Sequence, residues 1–399
     1  MKILVADSFP RERLADFEAL GLEVLHEPSV SAKDLPGKAR DASVLVVRSK
    51  QVTAEVFEAA PALSLVVRAG AGVNTIDVAA ASRRGVYVAN CPGQNSIAVA
   101  ELAIGLLVSL DRRIPDNVQQ LRAGKWDKKT FSEARGLFGR TLAIAGVGAI
   151  GREVAHRARA LGMRVTAWSR SLDDARAHEL GVERARDLTA LAAGCDALSL
   201  HLPLTKDTRG IVSREVLAAM RPGALFVNTA RAELVDDAAL LEAARGGRIR
   251  VGTDVFAAEP EKGQADFHSP LAALPGVYGT HHIGASTDQA QDAIARETVR
   301  IVESFVRAGR VPNCVNVAKK TPARARVVVR HYDKVGVLAN VLSAIREAGI
   351  NVEEVTNTVF EQAAAASCSI DLDEIPGKDL LDRIRSRPDE VLFVDCVPL

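Results

Sequence analysis

The stretch TLAIAGVGAIGREVAHRARALG, Thr141 to Gly162, decides the fold. Apolar TLAIA reads as a buried strand and REVAHRARALG as an amphipathic helix, joined by Gly146-x-Gly148-x-x-Gly151. In that setting Gly146 permits the tight turn, Gly148 lets backbone approach a pyrophosphate, and Gly151 lets helix and strand pack closely. The helix N-terminus adds partial positive charge where phosphates would lie. Gly146, Gly148, Ala149, Ile150 and Gly151 therefore form a candidate dinucleotide cradle. A glycine-rich turn without a ligand would need neither the strand before it nor the helix after it.

The next strand, RVTAW, ends at Trp168-Ser169-Arg170, about twenty residues beyond the fingerprint, where an acid commonly binds the ribose 2′-hydroxyl. Ser169 and Arg170 stand there instead, with Asp173 and Asp174 a little further on. An arginine suits a 2′-phosphate, so the residues leave NADP(H) open beside NAD(H).

Working outward, DALSLHLP, ALFVNTAR, IRVGTDVF and VYGTHH continue one strand series, while KILVAD, SVLVVRS, LSLVVRAG and VYVAN form an earlier one. Strands alternating with helical segments predict an α/β chain with two doubly wound, Rossmann-like parallel sheets. The apolar Ile97–Leu110 run reads as a buried helix, and the helical segment Ser286–Gly309 leads back to the first series. The expected division is a discontinuous substrate domain over 1–96 and 286–318, and a dinucleotide-binding domain over 97–285. A basic, proline-containing linker over 316–325 follows, then a βαββαβ pattern over 324–399, which predicts a small α+β domain of ferredoxin-like type.

Bulk properties narrow the function. The 399 residues carry a formal net charge of +1, so no global field draws the chain to nucleic acid or to an anionic membrane. The N-terminus has no signal-peptide apolar region, and the longest apolar run is too short to span a bilayer. Five scattered cysteines show no metal-ligand spacing, which suits a reducing cytoplasm and predicts no structural metal.

Chemistry-bearing residues gather after the strands. Arg231 follows ALFVNTA, Asp254 and Glu259 follow IRVGT, and His281-His282 follow VYGT. A histidine can take a hydroxyl proton near neutral pH, a carboxylate can orient it, and an arginine can grip a substrate carboxylate. Consecutive side chains point apart, so at most one of the two histidines faces a given pocket. Arg48, Ser49 and Lys50, with Arg68 before a glycine-rich turn, offer cations and amides to an anionic substrate.

With NSIAVAE (Asn95–Glu101) and RAGAGVNTID (Arg68–Asp77), these ordered motifs make residues 1 to 318 resemble the D-isomer-specific 2-hydroxyacid dehydrogenases. The resemblance implies hydride transfer between a 2-hydroxy acid and NAD(H), with Arg231, Glu259 and His282 catalytic, since His282 precedes Ile-Gly. His281 stands where the family commonly has proline, and Ala232 where it has glycine. It further implies cofactor contacts at Pro203, Thr229, Asp254 (to the carboxamide) and Gly284. Substrate contacts are implied at Arg48, Ser49, Lys50, Arg68 and Asn74, and at Lys128 across the interface of a homodimer or homotetramer.

RHYDKVGVLANVL and EAGIN resemble the ACT signature, which implies an L-serine effector near His331, Asp333 and Asn351. Asp333 replaces an expected asparagine. This appendage narrows the resemblance to the branch of the family that oxidises 3-phosphoglycerate at the start of serine biosynthesis. An NADPH-dependent glyoxylate or hydroxypyruvate reductase fits Ser169-Arg170 but not the appendage. A nucleotide-sensing corepressor fits the fold but also lacks such a domain.

Overall fold

The computed structural model describes residues 1–260, 264–318 and 321–399. They form two compact units, Met1–Asn316 and Val317–Leu399. The linker expected over 316–325 includes residues 319–320, which lie outside the described residues.

The first unit holds two parallel sheets. In the first run β1 (Lys2–Val5), β2 (Glu23–His26), β3 (Val44–Val47), β4 (Leu65–Arg68) and β5 (Tyr87–Asn90), in the order β2-β1-β3-β4-β5. The second contains β6 (Thr141–Ala145), β7 (Arg164–Trp168), β8 (Glu183–Arg184), β9 (Ala197–Leu200), β10 (Ala224–Asn228), β11 (Ile249–Thr253) and β12 (Val277–Gly279). Their order is β12-β11-β10-β9-β6-β7-β8. Val44–Val47, Thr141–Ala145 and Ala197–Leu200 are buried along their whole length, as strands covered on both faces must be.

This topology creates two switch points, where crossovers leave in opposite directions and a crevice opens at the carboxyl ends. One lies between β1 and β3, and the other between β6 and β9. Residues just after these strands therefore line the crevices: Asp7 and Arg48 in the first sheet, Gly146 and His201 in the second.

Helix Ser96–Arg112 lies on the second sheet with Leu106, Leu107 and Leu110 in its core. A Cβ on Gly252 of β11 would sit 3.1 Å from Leu106 Cβ, so this close approach needs the missing side chain. Helix Asp288–Ala308 returns to the first sheet, as expected, placing Ile294, Ala295, Ile301 and Val302 against Ile3, Val5 and Val67. Thr287 caps it by accepting from the Ala290 amide, and Gly309 ends it in the left-handed conformation.

The second unit contains β13 (Ala325–Tyr332), β14 (Val352–Val359), β15 (Ala365–Leu372) and β16 (Val391–Pro398) as an antiparallel sheet ordered β14-β15-β13-β16. Helices Val337–Glu347 and Lys378–Arg385 complete the βαββαβ order. Here the expected effector trio does not converge. His331 is buried, its Nδ1 2.8 Å from Tyr332 O and its Nε2 3.2 Å from Asn357 Oδ1. Asn351 instead donates from Nδ2 to Glu353 Oε1 and from its backbone amide to Asp373 Oδ1. Asp333 is exposed. Both ring nitrogens of His331 have partners within the unit.

No helix among the described residues is long and apolar enough to cross a membrane.

Candidate active site

The fingerprint sits at the second sheet's switch point. Gly146 has φ +98° and a Cβ there would lie 2.5 Å from His201 O, while a Cβ on Gly151 would lie 1.9 Å from Gly146 O. Gly148 and Ala149 are exposed at the start of helix Ala149–Ala160, with nothing within 4 Å of a Cβ built on Gly148. The helix N-terminus is therefore open to an anion. Ile150 is partly buried against the core. Across the cradle, Thr229 Oγ1 is buried with no partner among the described residues, a polar atom waiting for a ligand group. Pro203 O accepts from Thr208 Oγ1 at 2.6 Å, which fixes the loop after β9. These features fit a dinucleotide.

His201, not foreseen as part of the site, is buried with its Nε2 2.8 Å from Ser199 Oγ and Nδ1 unpartnered among the described residues. Burial pushes its pKa down to about 3, so it is a neutral wall of the cradle.

The ribose end departs from expectation. Arg170 is mostly exposed and its Nη1 lies 3.3 Å from Asp207 Oδ2. Asp173 caps helix Asp174–Leu180 and Asp174 pairs with Arg184, so neither competes for Arg170. The competitor is Asp207, brought near by the fold from the loop after β9. Ser169 is partly buried, and its carbonyl accepts from the Leu172 amide.

The acid–base pair is formed. His282 Nδ1 lies 2.6 Å from Glu259 Oε2, and Glu259 Oε1 accepts from the Phe256 amide at 2.9 Å. A carboxylate can only accept, so Nδ1 carries the proton and Nε2 is left facing outward without a partner among the described residues. Burial pushes the Glu259 carboxyl up, but the bonds from His282 and Phe256 and the charge of Arg231 leave it below its ordinary value. His281 is exposed and makes no side-chain hydrogen bond among the described residues.

His282 has φ +53°, unusual outside glycine, and Asp254 explains how it is held. Asp254 O accepts from the His282 amide at 2.9 Å; its carboxylate accepts from Thr280 Oγ1 (2.6 Å) and from the Ile283 (2.9 Å) and Gly284 (2.8 Å) amides. Asp254 is 1% exposed. Both it and the Gly284 amide are thus engaged within the chain. Asp254, which the resemblance places at the carboxamide, also fixes the His282 loop through these bonds.

Arginines converge on the same crevice. Arg68 is pushed below its ordinary pKa by burial and by the nearby charges of Arg231 and Arg48. A Cβ on Gly72 would lie 3.2 Å from Arg231 Nη2 and 3.3 Å from Asn74 Oδ1, so the Arg68–Asp77 turn reaches Arg231. Arg231 is backed by its own loop: Asn228 Nδ2 donates to Arg231 O. Arg48 Nη1 donates to Gln291 Oε1 at 3.0 Å, and Arg68 Nε to Arg48 O at 3.0 Å.

The amides of Arg48, Ser49 and Lys50 all point at Asp7 Oδ2, at 2.6, 3.0 and 3.2 Å, so they are not free for a substrate anion. Asp7, at the end of KILVAD, and Gln291 were legible only once the switch point was known. Lys128 is exposed on helix Lys128–Phe131, whose Thr130 and Phe131 line a cavity at the amino edge of the second sheet. It is remote from this chain's own crevice, so any substrate role for it requires a second copy.

Comparison with known proteins agrees with the fold and the motifs. Residues 104–284 match the family model described as D-isomer specific 2-hydroxyacid dehydrogenase, NAD binding domain. A hydroxypyruvate reductase from Thermotoga maritima is 41% identical over 261 residues, 65% of this chain and 83% of the relative. A D-3-phosphoglycerate dehydrogenase from Methanocaldococcus jannaschii is 37% identical over 353 residues, 88% of this chain. The chain spans only 66% of that relative's length. The crystal structure of cofactor (NAD+) bound 3-phosphoglycerate dehydrogenase from Entamoeba histolytica superposes with a TM-score of 0.67 at 27% identity. The alignment covers 79% of this chain and 99% of that one. The chain belongs to the D-isomer-specific 2-hydroxyacid dehydrogenases and carries the NAD-binding domain of that family.

Proposed function

We propose that this chain oxidises 3-phosphoglycerate to 3-phosphohydroxypyruvate, the entry step of serine biosynthesis, using NAD. The supporting observation is the convergence of Arg48, Arg68 and Arg231 on the crevice that holds the His282–Glu259 pair. Three neighbouring guanidinium groups repel one another unless an anion sits among them, and a substrate with a carboxylate and a phosphate supplies two anionic groups. When bound, the nicotinamide supplies the hydride acceptor. Arg231 holds the substrate carboxylate, and His282 Nε2 takes the C2 hydroxyl proton as the C2 hydride leaves. Glu259 then stabilises the imidazolium. In the reverse direction the imidazolium returns that proton to the carbonyl oxygen.

Hydroxypyruvate reduction is the second reading, favoured by Ser169-Arg170 in place of an acid at the ribose position. In either reading we assign residues 1–96 and 286–318 to substrate and 97–285 to cofactor. The chain acts in the cytoplasm as a homodimer or homotetramer. Absorbance at 340 nm, with 3-phosphoglycerate, hydroxypyruvate and glyoxylate each paired with NAD(H) and NADP(H), decides between the readings. Turnover of 3-phosphoglycerate no faster than that of unphosphorylated acids overturns the first.

A further inference from the structure

We propose that the second sheet carries, at the edge opposite the cofactor crevice, a binding site for a compact oxyanion bearing phosphoryl or carboxylate groups. A cavity of about 190 Å³ opens there, beside Arg140 before β6, Gly223 before β10 and Arg250 near the start of β11. Strands of five residues at about 3.3 Å each separate it from the crevice by roughly 16 Å. An anion in it would be distinct from substrate or cofactor.

Five arginines line this cavity: Arg112, Arg113, Arg135, Arg140 and Arg250. Two acids, Asp111 and Glu133, share the lining, and Asp116 and Asp196 lie behind it, so positive charge remains in excess. The acids nearest the buried arginine already have donors. Asp111 accepts from Arg140 Nη1 at 2.8 Å and from the Gly136 amide at 3.0 Å, and Asp196 Oδ2 accepts from the Thr141 amide at 3.0 Å. Arg140 is 7% exposed, yet its Nε has no acceptor among the described residues; the nearest carboxylate oxygen, Asp196 Oδ1, is 3.9 Å away. Nη1 also donates to Gly136 O and Nη2 to Asp196 O, so among the described residues the buried Nε–H is the one donor that an anion would complete.

Two further arginines are held in place largely by aromatic rings. The Arg113 guanidinium lies 4.7 Å from the centre of the Phe131 ring, with Nη1 donating to Thr130 O and Nε 3.6 Å from Asp116. Arg113 has φ +53° as the left-handed C-cap of helix Ser96–Arg112. Arg250 lies 5.7 Å from the Tyr278 ring centre and donates to Tyr278 Oη at 3.2 Å. Stacked guanidinium groups keep N–H donors available in the ring plane and lose little freedom on binding a planar or tetrahedral oxyanion.

The test uses the full chain with inorganic phosphate and, separately, citrate, each titrated by calorimetry at low salt. Arg113→Gln and Arg250→Gln each remove one guanidinium charge without orphaning Asp111, as Arg140 variants would. Each is expected to weaken binding about tenfold or more while the unfolding transition stays near wild type. Crystals soaked in selenate should show an anomalous peak within hydrogen-bond distance of Arg140 or Arg250. Tighter binding of phosphate assigns a phosphoryl ligand, and tighter binding of citrate a polycarboxylate. Unchanged affinity in both variants, or selenate found only in the crevice, overturns the proposal. So does a change in sedimenting mass with anion affinity unaltered, which would make the cavity part of an interface between copies.

Discussion

His282 and Glu259 meet at 2.6 Å through Nδ1 and Oε2, although 23 residues separate them in the chain. One follows β12 and the other β11, adjacent parallel strands whose register pairs Thr253 with Gly279. The sheet thus delivers both loops to one point, and the pairing fixes the imidazole tautomer before any substrate arrives.

That geometry separates the two histidines. His282→Asn should lower kcat by about 10²–10⁴-fold, the usual worth of a positioned acid–base group. His281→Ala, on an exposed residue without a hydrogen-bond partner among the described residues, should keep most activity. Steady-state kinetics on folded variants check this, and a larger loss in His281→Ala would reverse the assignment.

Glu259 carries a pH signature. Its folded value is depressed, so its contribution to stability is present above the ordinary carboxyl value, about 4.3, and is lost as pH falls through the lower folded value. Glu259→Gln removes that dependence. Urea midpoints of wild type and variant should differ at neutral pH and draw together as pH falls below the ordinary carboxyl value, with the variant's kcat about a hundredfold lower.

Much of this was legible in the sequence for definite reasons. The glycine fingerprint announced itself because a strand, a tight turn and a helix follow in fixed order, and full burial made β3, β6 and β9 mostly apolar, with Thr141 and Ser199 the exceptions. The edge strands β2 and β8 were missed: Glu23–His26 is only partly buried and Glu183–Arg184 spans two exposed residues, so neither leaves an apolar pattern. The roles of Asp7, Asp207 and Asp254 were hidden because each depends on a partner 26 to 43 residues away. Sequence spacing gave residue types at strand ends, but which amide each carboxylate accepts is a property of the packed loops.

Asp254 offers a direct test of that last point. Asp254→Asn replaces one accepting oxygen with a donor that must face an amide N–H of Ile283 or Gly284, or the Thr280 hydroxyl. A buried mismatch of this kind costs about 1–3 kcal/mol. The His282 loop should lose its left-handed conformation, lowering kcat at least tenfold while dinucleotide affinity, read by fluorescence titration, changes little. A dominant loss of cofactor affinity would make the carboxamide contact the main role of Asp254.

The phosphate end is tested by Arg48→Ala and Lys50→Ala. Each should raise KM for 3-phosphoglycerate by about 10- to 100-fold, from the loss of a charge-assisted bond worth about 1.5–3 kcal/mol. Cofactor KM should stay near wild type. Equal substrate KM in both variants would remove these residues from the substrate site, leaving Arg68 and Arg231 to hold the anion.

Cofactor choice turns on Arg170 and its exposed partner. An acid at position 169 would repel a 2′-phosphate, but Ser169 can donate to one and Arg170 can pair with it. Asp207 holds Arg170 at 3.3 Å, with both side chains mostly exposed. Such a surface pair is worth about 0–1 kcal/mol, less than the 1.5–3 kcal/mol of an arginine–phosphate bond, so a 2′-phosphate wins the competition. The difference between those terms, about 0.5–3 kcal/mol, favours the 2′-phosphate contact by about 2- to 150-fold, so NADP(H) is expected to fall no more than about tenfold below NAD(H) in kcat/KM. Asp207→Ala should shift the ratio toward NADP(H) several-fold, and Ser169→Asp should shift it strongly toward NAD(H). The two shifts have opposite signs and both residues lie apart from the acid–base pair, so kcat/KM for the four cofactor forms in each variant isolates the ribose contact. A wild-type preference for NAD(H) above a thousandfold, unmoved by Asp207→Ala, would mean that Arg170 never reaches the ribose.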